Sequence, residues 1–146
     1  MKNILKNGFI LLFTGVLFFT NGAKAAEKLC VLSIFDKYGY KKGVTMLEAS
    51  EDLLKQYKIK QFKSIIFEDG TKALPEIRSC IEKDKANAVK IKEIVHDGVV
   101  TSGYYHLKTE KKETNRYLIF KVKEKKVTLI YVEGNLTTEE LVDLLK

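Results

Sequence analysis

The second half of the chain contains four consecutive segments in which the residue pattern changes to the period of two that is typical of strands. The first two are Val89–His96 and Val99–Leu107, and Asp97-Gly98 between them is the dipeptide typical of a type I′ hairpin turn. A charged loop leads to Asn115–Lys123, and a short turn then leads to Val127–Glu133. Short connections join antiparallel neighbours, so this half of the chain predicts a four-stranded antiparallel meander.

Helical and extended patterns alternate in the part of the chain before the meander. The predicted elements there are a helix over Leu29–Tyr38, a strand over Val44–Ala49, a helix beginning after Ser50, a strand over Phe62–Glu68 and a helix over Pro75–Ala86. After the meander, Thr137 and Glu140 have the spacing of a capping box for a last helix. The predicted fold class is α+β, a mainly antiparallel sheet with a C-terminal four-stranded meander, helices packed on it and a C-terminal helix.

The N-terminal segment has the three parts of a secretory signal. Two lysines precede an apolar run over Gly8–Phe19, and the small-residue triplet Ala23-Lys24-Ala25 follows it. The run is shorter than the ~20 residues that a membrane-spanning helix needs. We therefore expect a cleaved signal peptide over residues 1–25, a single exported domain over 26–146 in the periplasm or outside the cell, and no transmembrane span after cleavage.

The charge of the chain gives little support for a nucleic-acid partner. The formal net charge is +7, and loss of the three lysines in the predicted leader lowers it to +4. A charge of that size mainly serves solubility. In an exported domain we expect no nucleic acid to be bound.

Cys30 and Cys80 are the only cysteines of the chain. An even number of cysteines in an oxidising compartment permits a disulfide. The alternative is two unpaired, partly buried thiols that pack as small apolar groups.

The last predicted hairpin has apolar residues on both of its faces. Pairing Val122 with Val127 places Phe120, Leu129, Leu118 and Tyr131 on one face. The opposite face then carries the candidate interaction residues Tyr117, Ile119, Ile130 and Val132. A sheet with one solvated side would be polar on that side. A further helix, a second subunit or another protein partner, or an apolar ligand could therefore cover this second face.

The sequence contains no recognisable catalytic, metal or cofactor site. Only His96 and His106 could act as imidazole ligands or bases, and the predicted hairpin places them ~20 Å apart. Neither cysteine has a neighbouring activating group, and no metal-ligand or nucleophile motif is present. We therefore expect no metal, no cofactor and no catalytic residue.

Several segments are similar to a known family. Ile34–Tyr38, Gly43-Val44, Ser50 and Val127–Gly134, together with the Asp97-Gly98 hairpin, resemble a small exported bacterial family of unknown function, numbered forty-two fifty-two, and its sister group numbered sixty-one oh eight. The similarity spans residues 29–146. The resemblance implies an extracytoplasmic α+β domain of a Gram-negative bacterium, with no assigned activity and an envelope-stress or surface-signalling role.

These observations favour an exported, non-enzymatic interaction domain, with a protein partner or a second copy bound in the cell envelope. Two alternatives stay open at this point. One is a carrier of a small apolar ligand between helices and sheet, and the other is a small hydrolase whose site the sequence does not reveal.

Overall fold

The computed structural model describes residues 28–146. The predicted signal peptide over residues 1–25 lies outside the described residues, and so does its cleavage site. Residues 28–146 contain four α-helices, here α1 to α4, and six strands, β1 to β6. In chain order they are α1 Val31–Tyr38, β1 Val44–Glu48, α2 Glu51–Gln56, β2 Ile59–Phe67, α3 Leu74–Asp84, β3 Ala88–His96, β4 Val99–Leu107, β5 Asn115–Lys123, β6 Lys126–Gly134 and α4 Thr138–Leu144.

All six strands form one antiparallel sheet in the order β1-β2-β6-β5-β4-β3. Strands β3 to β6 are sequential neighbours, which agrees with the predicted meander. Strand β2 pairs with β6, so the first two strands extend the same sheet. The α+β class, the antiparallel sheet and the C-terminal helix are confirmed.

Local turn and cap chemistry explains two of these junctions. Asp97 and Gly98 have φ angles of 52° and 77°, the left-handed conformation that a type I′ turn requires at both positions. Thr137 accepts a hydrogen bond from the backbone N–H of Glu140, and the Glu140 carboxylate accepts one from the backbone N–H of Thr137. The predicted hairpin turn and capping box are therefore both present.

The pairing of β5 with β6 follows the predicted register. Val122 lies opposite Val127, Ile119 opposite Ile130 and Tyr117 opposite Val132. Because side chains alternate along a strand, this register assigns each residue of the hairpin to one of two faces. The face that packs on α1 and α3 is called the inner face below, and the face toward α2 and α4 is called the outer face.

The main core lies between the inner face and the helices α1 and α3. Val31, Ile34 and Phe35 of α1 are fully buried there. The strands contribute large buried side chains to the same cluster, among them Ile65, Leu118, Phe120, Leu129 and Tyr131.

Two contacts hold the start of α1 against α3. Cys30 and Cys80 form a disulfide, with 5.0 Å between their Cα atoms. One helical turn after Cys80, the buried Asp84 carboxylate accepts hydrogen bonds from the backbone N–H groups of Cys30 and Val31, at 2.8 and 2.9 Å. Burial raises the pKa of Asp84 above its usual value, and the two N–H donors oppose that rise. The disulfide and the Asp84 side chain thus both hold the N-terminal end of α1 against α3.

Candidate interaction surface

The outer face is covered by helix at one end only. Tyr117 and Val132 are 1% and 0% exposed beneath the C-terminal segment that contains α4, where Leu136 and Leu141 pack on them. The Tyr117 hydroxyl also donates a hydrogen bond of 2.8 Å to the carbonyl oxygen of Leu136. These two members of the predicted interaction face therefore belong to the core, because a helix of the same chain covers them.

Ile119 and Ile130, the other two predicted members, are only half-buried. They lie side by side in the middle of the outer face, one step along the strands from Tyr117 and Val132. Together with their cross-strand partners on the other strands, these two isoleucines form a row across the whole sheet. That row contains Leu47, Ser64, Ile130, Ile119, Tyr104 and Lys92.

A second row lies farther from α4. It contains Thr45, Ile66, Thr128, Lys121, Ser102 and Ile94. No residue of either row is fully buried, and Leu47 and Ile94 are 58% and 61% exposed. The two rows together are called the open surface below. Of these twelve residues, six are apolar or aromatic, four are serine or threonine and two are lysine. The open surface is therefore weakly basic, with its apolar side chains concentrated in the first row.

Among the grooves beside α4 on the outer face, two border the open surface. The first has a volume of ≈ 200 Å³, and Leu47, Leu53 and Phe62 contribute to its walls. The second has a volume of ≈ 380 Å³, between α4 and the β3–β4 edge, and Ile94 and Val142 contribute to its walls. Both grooves continue the open surface toward the C-terminal helix.

The two histidines have different neighbours. His96 lies at the exposed hairpin end, with its Nε2 3.4 Å from the Asp97 carboxylate. The Nε2 atom of His106 is 3.1 Å from Asn115 Oδ1, and its ring centroid is 4.8 Å from that of Tyr117. Within residues 28–146, no group of three or more His, Cys, Asp or Glu side chains is arranged to hold a metal ion.

A polar cluster lies on the inner face at the edge of the sheet. The Tyr105 hydroxyl donates a 2.7 Å hydrogen bond to the Glu93 carboxylate, and the Lys85 ammonium is 3.1 Å from the same carboxylate. The Tyr105 hydroxyl, and then Lys85, hold the pKa of Glu93 below its usual 4.5 against the opposing effect of burial. Burial, and then the contact with Glu93, raises the pKa of Tyr105. The Glu93 carboxylate is therefore already engaged by a hydrogen bond and an ion pair within the chain.

Glu93→Gln is expected to lower the free energy of unfolding by roughly 1 kcal/mol at neutral pH, because it removes charge from two hydrogen bonds. A carboxyl with a lowered folded-state pKa stabilises the fold above its unfolded value of 4.5. That contribution is lost as the pH falls through the folded-state pKa. Urea denaturation at neutral and acidic pH should show the difference between wild type and Glu93→Gln shrinking with acid. Glu124→Gln, which removes an exposed turn carboxylate, is the control, and a difference for Glu93→Gln that does not change with pH would contradict the prediction.

Comparison with known proteins identifies a family but no activity. The model of a family of unknown function, DUF6108, matches residues 18–145. Of the two groups that the sequence resembles, this match supports the one numbered sixty-one oh eight. No curated protein matches the chain.

One solved structure shows a weak similarity. It is a protein of unknown function, PA94, from Pseudomonas aeruginosa, with 12% identity over 70% of this chain and 74% of that chain. Its TM-score of 0.33 is too low to carry an argument about fold or function. Separately, none of the helices in residues 28–146 combines the length and apolar character that crossing a membrane requires.

Proposed function

The chain belongs to the family of unknown function DUF6108, and we propose that it is an exported, non-enzymatic domain that binds a protein partner in the cell envelope. The open surface carries this proposal. The apolar residues Ile119 and Ile130 in the middle of the outer face pack beside the cluster that α4 covers and are still only half-buried. Apolar surface that the chain does not cover itself is typical of a protein-binding site.

The charges around this surface support a protein partner. Lys121 follows Ile119 on the same face of β5, and Lys92 ends the row that contains the two isoleucines, so the apolar residues have two basic neighbours. Interfaces between proteins commonly combine an apolar centre with a polar rim. The predicted leader and the Cys30–Cys80 disulfide support export, since disulfides persist in oxidising compartments.

A carrier of a small apolar ligand is the second candidate, and the groove of ≈ 380 Å³ beside α4 favours it. That volume is at the lower end of the ~300–1,000 Å³ of ligand pockets. The groove lies at the surface beside Ile94, whereas a carrier encloses most of its ligand. The protein-binding function therefore has the stronger support.

The proposal predicts that a charge on the open surface removes partner binding and leaves the fold intact. The purified protein, immobilised and exposed to solubilised envelope, should retain a partner. Leu47→Lys and Ile130→Lys should each reduce that retention at least tenfold, because each places an unpaired ammonium in an apolar contact. Leu47 is 58% exposed in the free protein, so its replacement should leave the denaturation midpoint almost unchanged.

Tyr40→Lys is the matched control. Tyr40 is 88% exposed on the loop between α1 and β1, so the variant adds the same charge outside the open surface. Its retention of the partner should equal that of the wild type. Undiminished retention by both open-surface variants would overturn the proposed site.

A further inference from the structure

Strand β3 is an edge of the sheet, and most of its apolar side chains are exposed. It pairs with β4 on one side, and its other side faces no strand of the described residues. Val89, Ile91, Ile94 and Val95 are 65%, 46%, 61% and 58% exposed. Proteins normally protect such edges with short strands, lysines, bulges or a covering segment. Strand β3 is nine residues long and has two lysines and two register shifts, but no covering segment within the described residues.

The exposed side chains of β3 lie on both faces of the sheet. Ile91 is opposite the inner-face residue Tyr105, and Ile94 is opposite Ser102 on the outer face. A helix or small ligand in the groove beside α4 would cover Ile94 and leave Ile91 exposed. An added strand would place side chains beside both residues and pair with the open backbone edge.

We propose that β3 binds an extended segment of a partner protein as a seventh strand, with carboxylates beside Lys90 and Lys92 on the outer face and an apolar side chain beside Ile91 on the inner face. Lys90 and Lys92 lie on the outer face, where they would be cross-strand neighbours of those carboxylates. On the inner face, Glu93 is bonded to Tyr105 and Lys85, so Ile91 provides the contact there. The segment therefore alternates acidic and apolar residues.

The length of the segment follows from the irregularities in β3. Its pairing with β4 shifts register between Ala88 and Lys90 and again between Ile94 and Val95. Bulges of this kind bend a strand and interrupt the ladder. The regular stretch Lys90–Ile94 would accommodate about five residues of a partner, or ~17 Å of extended chain.

A second copy of this chain is a poorer occupant than an acidic strand. Two copies of β3 related by a two-fold axis through the sheet would pair around one central residue. If the axis passes beside Lys90, Lys92 or Glu93, that residue lies opposite the same residue of the second copy. If the axis passes beside Ile91, Lys90 of each copy lies opposite Lys92 of the other. These four of the five registers centred within Lys90–Ile94 juxtapose like charges, which destabilises a strand pair. The fifth, centred at Ile94, sets Lys92 opposite His96 and offers it no carboxylate.

The inference rests on one part of the proposed function, namely that the partner bound along β3 is a protein. Its test uses an eight-residue peptide of alternating Glu and Val with blocked termini, mixed with the purified protein. A Lys/Val peptide and a peptide with the four Glu residues in one block are the controls. Binding should be at least tenfold tighter for the alternating Glu/Val peptide, with new amide-exchange protection confined to β3.

Charge reversal at the edge provides the second arm. Lys90→Glu/Lys92→Glu should weaken binding of the Glu/Val peptide at least tenfold and strengthen binding of the Lys/Val peptide. Lys123→Glu/Lys126→Glu, beside the β5–β6 turn, changes the same charge away from the edge and from the open surface, and should leave affinity within twofold. Both lysine pairs are exposed, so the variants should fold.

Three results would overturn the inference: equal affinity for all three peptides, protection outside β3, or a dimer of the free protein that Lys90→Glu/Lys92→Glu dissociates. The proposed function is judged separately, because Leu47→Lys and Ile130→Lys change β1 and β6, which do not pair with β3. Loss of peptide binding with intact partner retention would contradict the edge site alone. The reverse would contradict the open surface alone.

Discussion

Replacing Cys30 and Cys80 together by alanine is expected to lower the free energy of unfolding by about 4 kcal/mol. The bridge joins residues separated by 50 positions, and a cross-link of that span removes much conformational freedom from the unfolded chain. Denaturant unfolding measures the change directly through the midpoint and slope. A loss of this size is a large part of the stability of a small domain.

Reductant supplies the control for the disulfide prediction. Wild type in reductant should unfold at a lower denaturant concentration, close to that of the Cys30→Ala/Cys80→Ala variant, whose own midpoint should not respond to reductant. Amide exchange should rise first at the start of α1, where Asp84 would be the remaining contact of the two that hold this end. A wild-type midpoint that ignores reductant would contradict the prediction.

Gly134→Ala is expected to destabilise the fold by about 3 kcal/mol, at the upper end of the cost of overpacking. A methyl group at Gly134 would collide with the carbonyl oxygen of Lys58 and lie 2.7 Å from the Cα atom of Ile59. Both atoms belong to the backbone where β2 begins beside β6, so relief requires the two strands to separate. Thermal or denaturant unfolding measures the loss.

Gly43→Ala is the matched glycine variant. Gly43 has a φ angle of +79°, and no atom lies within 4 Å of a methyl group added there. This substitution therefore tests backbone conformation alone and should lower the free energy of unfolding by about 1 kcal/mol. If both substitutions lowered the free energy of unfolding equally, the close contact between β2 and β6 at Gly134 would not be the cause of the destabilisation.

The sequence was most informative where structure depends on neighbouring residues. The period of two along β3 to β6, the Asp97-Gly98 turn and the Thr137–Glu140 cap are local features, and each predicts its element without knowledge of the rest of the chain. The register of β5 with β6 follows from a short turn for the same reason. The pairing of β2 with β6 joins distant segments, and no pattern in either strand identifies its partner.

In the candidate site too, the sequence predicted what depends on neighbouring residues and missed what depends on distant packing. Alternation in β5 and β6 placed Tyr117, Ile119, Ile130 and Val132 on one face, which the strand register confirms. It could not show that α4 covers two of them and leaves two half-buried, because that depends on where a distant helix packs. The exposure of β3 also escaped prediction, because its apolar alternation resembles that of the covered strands.

The central claim is that the half-covered outer face contacts another protein in the cell envelope. A photo-reactive amino acid introduced at position 130 in the living host tests this directly, since a covalent adduct forms only with a protein in contact. The account predicts an adduct of higher mass from position 130 and none from position 40, on the exposed loop. Identical patterns from both positions, or no adduct from position 130, would contradict it.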